Sequence, residues 1–312
     1  MNKKYLNIIG RILMIASIAF IAVKLYKYDV DFKELMTAKI SIFMVIAILV
    51  HGLNIFIASF NYGGLLKSIV DKDVRQKNIT YIYCKTNIYK YMPGNIMHFV
   101  GRNQIAIVEG ISHGDVILAT GVEMVSLILA GGIITAICSF QDLFEYVEKI
   151  NINITFLCII ILCGLVMGFL IAYIFRKKII KYLLKYKKLI SKEYIKAVLK
   201  ITLLNGIRLI VNAIVFLMLL GAFNILINGD KLITVVGIFV MSWVAGFLTP
   251  GAPGGLGVRE FVMSMFLGNI VAMETLLTVI MLYRIVCIFG DLMGYFYAFI
   301  ASRTLFRIQK LK

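Results

Sequence analysis

Six apolar runs divide the chain: residues 8–23, 40–60, 115–138, 154–175, 201–223 and 274–300. A helix rises 1.5 Å per residue, so about twenty apolar residues cover a bilayer core of about 30 Å. The pattern therefore predicts six full transmembrane helices. His51 and Asn54 interrupt the second run, where polar side chains ordinarily hydrogen-bond to a neighbouring helix.

Two further segments are broken. Residues 80–102 are too polar for a lipid-facing span and carry Pro93-Gly94 near the middle. Residues 232–248 lead into Pro250-Gly-Ala-Pro253-Gly-Gly-Leu-Gly257-Val-Arg259-Glu260, and a short apolar arm, 258–268, follows. Proline lacks the helical donor and glycine costs backbone entropy, so neither break continues a helix. At membrane depth irregular backbone is tolerated only where protein or a water-filled cavity satisfies it. Pro93, Gly94, Pro250, Gly251, Pro253, Gly254, Gly255 and Gly257 are thus expected to form hinges or anion-binding loops within two re-entrant hairpins. An interfacial amphipathic helix is the other reading of the first segment, and a plain cytoplasmic turn that of the second.

Composition agrees with the pattern: 61% of the 312 residues are hydrophobic. The formal charge of +17 lies mostly between apolar runs, as the positive-inside bias requires, so nucleic-acid binding is not expected. The segment 176–200 holds ten Lys or Arg and one Glu, whereas 29–34 and 141–148 are acidic loops expected outside. This places both termini in the cytoplasm of a multi-pass cell-membrane protein. The N-terminus has Lys3 and Lys4 before an apolar run but no small-residue cleavage site, and reads as an uncleaved span. Five cysteines and three histidines show no metal-ligand spacing, and neither metal nor cofactor is expected.

The order span, span, broken hairpin, span occurs twice, over 1–150 and 151–312. The second copy starts on the opposite side, as in the inverted repeats of many transporters. Arg102 lies nine positions after Pro93, and Arg259 nine after Pro250. The expected fold is an all-α polytopic membrane protein of six spans and two re-entrant hairpins forming one domain.

Glu123, Arg208, Arg259, Glu260, Arg284 and Asp291 lie in or beside apolar segments. Buried charge in a membrane faces a partner or a polar cavity. Arg284 and Asp291 are seven apart and share a helix face. Backbone donors of the second break, with Arg102, Arg259 and Arg284 converging, would bind a phosphate. Glu260 belongs to that site. Glu123 and Asp291 would balance the charge or carry a coupled proton. Tyrosines and Trp243 near span ends read as interface anchors.

Tyr91-Met-Pro93-Gly94, Gly101-Arg102, the motif from Pro250 to Glu260, and Tyr283-Arg284 resemble the transmembrane flippase domain of the lysylphosphatidylglycerol synthase family and its stand-alone relatives. The resemblance covers nearly the whole chain. It implies a lipid translocator that moves a phospholipid or a polyprenyl-phosphate-linked lipid between leaflets, with membrane lipids and enzymes of envelope or glycan assembly as partners. Only a short basic tail follows the last span, so the aminoacyl-transfer activity of full-length synthases is not expected. Two alternatives stay open. One is a membrane enzyme acting on lipid phosphates, with Glu123, Glu260, Asp291 and His98 as acid or base groups. The other is a non-catalytic scaffold for a glycosyltransferase that docks on 176–200.

Overall fold

The computed structural model describes residues 37–70, 72–92, 96–149, 191–225, 227–249, 253–255 and 257–309. Every described element is helical. In chain order these are α1 (Ala38–Ile69), α2 (Gln76–Asn87), a 3-10 turn (Ile88–Tyr91), α3 (Met97–Arg102) and α4 (Gln104–Glu109). Then come α5 (His113–Lys149), α6 (Lys192–Ala222), α7 (Gly229–Leu248), a 3-10 turn (Pro253–Gly255), α8 (Val258–Leu267) and α9 (Met273–Gln309).

Five helices are long and apolar enough to cross a membrane: α1, α6, α9, residues His113–Ser139 of α5 and Lys231–Leu248 of α7. The architecture is that of an all-α membrane protein. The expected runs 8–23 and 154–175 lie outside the described residues. Conversely, α7 was read as one arm of a hairpin, yet its 20 residues rise about 30 Å, enough to cross a bilayer core. The expected acidic loop 141–148 is helical as the end of α5; it contains neither glycine nor proline to stop the helix. The last part of the basic segment is helical too. Ser191 caps α6 by accepting from the Tyr194 amide at 3.1 Å, so the helix starts well before its apolar run.

Besides a small cluster of Ile40, Ala222, Leu282 and Ile285, the helices pack around two large apolar clusters. One joins α6, α7, α8 and α9 through Phe216, Phe239, Leu267 and Val279. The other joins α1, α2, α5 and the start of α6 through Tyr62, Ile79, Ala119 and Ile201. Outward-facing Leu, Ile and Val of α1, α5 and α6 stay exposed, as a lipid-facing surface requires.

The crossing of α1 and α9 is close. A Cβ added at Gly52 would lie 2.9 Å from Met293 Cβ, and one at Gly294 would lie 3.0 Å from the Gly52 carbonyl oxygen. Small residues let membrane helices approach backbone to backbone, and dispersion then holds them. One at Gly290 would meet the His51 ring at 2.6 Å, so the missing side chain makes room for that imidazole beside Asp291.

Candidate functional site

The first break grows out of α2. Its helix tightens into the 3-10 turn, which delivers Lys90 and Tyr91 to the middle of α9. Asp291, with 0% exposure, receives Lys90 Nζ at 2.7 Å, the Tyr91 hydroxyl at 2.5 Å and Asn87 Nδ2 at 2.8 Å. His51 Nε2 stands 3.6 Å away, and its Nδ1 meets Asn212 Oδ1 at 3.0 Å. Asn54 Nδ2 donates to Asn212 Oδ1 and to the Arg208 carbonyl, both at 3.1 Å. His51 and Asn54 thus bind neighbouring helices, as expected. Asp291 shares its helix with Arg284, but its cation is Lys90.

The second break is shaped by glycine. Gly254, Gly255 and Gly257 have φ of 59°, 72° and 85°, values at which a Cβ is strained. Arg284 of α9 grips this turn. Its Nη1 donates to the Gly254 carbonyl at 2.7 Å and its Nη2 to the Gly255 carbonyl at 2.9 Å. Nε and Nη2 also take both oxygens of Glu260, at 2.5 and 2.9 Å. Glu260 Oε2 in turn accepts from the Gly257 amide at 2.8 Å, capping α8. Planar guanidinium suits this fork–fork geometry. Arg284 and Glu260, expected at a substrate phosphate, therefore hold the loop.

The two breaks meet. A Cβ on Gly254 would touch the Tyr91 ring at 3.3 Å, so the tip of one turn rests on the other. Beside this contact lies a small cavity of about 70 Å³ that is partly open to the surface. Lys90, His98, Arg102, Glu123, Arg208 and Arg259 supply its polar lining, and Tyr83, Phe99, Trp243 and Phe247 its aromatic walls.

Arg102 ends α3 and is 3% exposed. It forms an ion pair with Glu123 and lies 4.1 Å from the Tyr83 ring centroid. Tyr83 donates to the other Glu123 oxygen at 2.5 Å. The Arg102 Nε is buried without a hydrogen-bond partner, as is His98 Nδ1. Arg259, on the first turn of α8, lies 4.7 Å from the Trp243 ring centroid. Its side chain runs over Gly246, where a Cβ would stand 2.6 Å from Arg259 Cγ. Its Nε is also unpartnered, and among the described residues no carboxylate pairs with it. Arg208 of α6 donates from Nη1 to Asn205 Oδ1 at 3.0 Å, and Asn205 donates to Ser126 at 3.0 Å.

Of the residues singled out in the sequence, His98, Arg102, Glu123, Arg208, Trp243, Gly254 and Arg259 line the cavity. Arg284, Glu260, Gly255 and Gly257 form the scaffold behind it, with the backbone of Pro253 in the same turn. Asp291 anchors the first turn from below. Pro93, Gly94, Pro250 and Gly251 lie outside the described residues.

Sequence reasoning missed Lys90 and left Arg208 without a place in the site. Trp243, expected as an interface anchor, stacks on Phe247 with centroids 5.6 Å apart and lies beneath Arg259. The signal available was its position, sixteen residues before that arginine on the same broken segment. Among the described residues no three His, Cys, Asp or Glu side chains gather as metal ligands.

In arrangement, the site is a partly enclosed, arginine-rich and aromatic-walled cavity inside a helical membrane protein. Compared with known proteins, the chain matches no protein-family model and no curated protein.

Proposed function

We propose that this protein is a membrane lipid translocator that moves a phosphate-bearing lipid between leaflets. The observation that carries the reading is the cavity itself. Cations from both broken segments, Arg102 and Arg259, face one space inside a bundle whose outer surface is apolar. A guanidinium in a membrane interior needs an anion or a polar guest, and a lipid phosphate supplies both the anion and a tail compatible with the surroundings.

Arg259 binds the phosphate, and Arg102 adds its free Nε while Glu123 balances its charge. The Arg284–Glu260 fork sets the shape of the glycine turn. The meeting of Tyr91 and Gly254 supports an inverted repeat, 1–150 against 151–312, in which the two breaks face each other, and the basic segments between the apolar runs support cytoplasmic termini. The motif resemblance to the lysylphosphatidylglycerol synthase transmembrane domain supports the same reading.

Reconstitution in liposomes tests it. Leaflet exchange of labelled phosphatidylglycerol or a labelled polyprenyl phosphate is expected with wild type. It should fall about 10- to 100-fold in Arg259→Gln, the cost of one charged hydrogen bond. Exchange no faster than in empty liposomes for every phosphate lipid tried defeats the proposal.

A further inference from the structure

The charges around the cavity do not balance. Five cations stand at or behind it: Lys90, Arg102, Arg208, Arg259 and Arg284. Three carboxylates face them, and each is already taken. Glu123 pairs with Arg102, Asp291 with Lys90 and Glu260 with Arg284. Arg208 and Arg259 remain, from α6 and α8, with no carboxylate against either among the described residues. The only polar partner of the Arg208 side chain there is the neutral Asn205, and both arginines keep a buried Nε without an acceptor. Both line the one cavity. Two uncompensated guanidiniums lining one partly enclosed cavity repel one another.

Resting on the lipid-phosphate reading above, we infer that the cavity selects a doubly charged phosphate, a monoester or diphosphate headgroup, with Arg208 and Arg259 as its specificity-determining pair. A singly charged phosphodiester, the linkage in ordinary glycerophospholipids, leaves one guanidinium unmatched. The second ionisation of a phosphomonoester falls near pH ~6, so at pH ~8 it carries the two charges the site lacks. Buried Arg102 Nε and His98 Nδ1 offer further donors to the same guest. Aromatic walls limit water around a bound guest, which strengthens each charged contact.

Trp243, the single tryptophan in the chain, forms one wall beneath Arg259, so its fluorescence reports occupancy. The test titrates the full-length protein in detergent, at pH ~8, with farnesyl phosphate and with its methyl ester. These share a tail and differ by one charge. The monoester is expected to bind about 10- to 100-fold tighter, one charge-assisted contact. Arg208→Gln and Arg259→Gln should each erase most of that preference, and Arg259→Lys should keep it.

Inorganic phosphate is the third probe. Much weaker binding than farnesyl phosphate assigns the site to a lipid; equal binding assigns it to free phosphate and overturns the lipid part. Chloride that displaces the monoester as readily as phosphate does overturns the inference, since two monoanions then fill the site. Equal affinity for monoester and diester overturns it too, whether or not liposome exchange occurs. A clear monoester preference without any leaflet exchange leaves the dianion site standing and removes the translocator reading.

Discussion

Lys90 Nζ sits 2.7 Å from Asp291 Oδ2, joining the 3-10 turn in the middle of the first broken segment to the middle of the last helix. The two residues are 201 positions apart. Asp291 is fully buried, so its charge depends on Lys90, Tyr91, Asn87 and His51 for solvation. Removing the cation strands a carboxylate in the interior. Lys90→Ala should therefore destabilise the detergent-solubilised protein by about 3–5 kcal/mol, read as a lower thermal midpoint. Lys90→Ala with Asp291→Asn should recover much of that loss. A double variant no more stable than Lys90→Ala removes the ion pair as the explanation.

The Arg284 fork predicts a different phenotype. Arg284→Lys keeps the charge but cannot reach two carbonyls and a carboxylate together. The glycine turn should loosen, and amides of 254–257 should exchange with deuterium about tenfold faster or more, the equivalent of losing one charged hydrogen bond. Hydrogen exchange measured by mass spectrometry checks this against the core of α6. Unchanged protection would mean the turn is held by other contacts.

The tyrosine beneath Arg102 gives a third case. Tyr83→Phe keeps the ring under the guanidinium but removes the hydroxyl that donates to Glu123. Loss of one buried hydrogen bond to a charged acceptor should cost about 1.5–3 kcal/mol, with the cation–ring contact intact. A thermal midpoint equal to wild type would show that water takes the place of the hydroxyl.

The α1–α9 crossing is the fourth. Gly52→Leu would drive a side chain into Met293 and the Gly290 carbonyl. Overpacking of this kind costs about 1–3 kcal/mol or more. A disulfide between cysteines placed elsewhere along this crossing should leave leaflet exchange intact. Exchange abolished by that cross-link, and restored by reduction, would place the motion at this crossing.

Much of the helical layout was legible in the sequence because apolar length and helix-breaking residues are local properties. Residues 40–60, 115–138 and 274–300 each sit within a described helix, 201–223 overruns one by a single residue, and the Pro/Gly motifs mark where helices stop. Helix ends were harder to read. The acidic segment 141–148 looked like a loop by charge, but charge alone does not end a helix. Partners were harder still. Arg284 and Asp291 share a face, and spacing reveals that much; it does not reveal that Lys90 reaches one and Glu260 the other. Arg208 looked like any membrane arginine until its neighbours were known. Trp243 sits near a span end, and position alone does not reveal its tertiary contact with Arg259.

At the contact of α1 with α9 there is no slack: with glycine facing backbone, sliding either helix by one residue would bring a side chain where none fits. These two helices behave as a stator. Whatever shape change lets a guest in or out has to be borne by lighter parts, the short helices α3 and α8 that carry Arg102 and Arg259. Because Tyr91 leans on Gly254, those parts are mechanically in series, and displacement of one turn is felt by the other. A translocator built this way, as proposed above, would work less like a pair of opening halves than like a frame with one jointed insert.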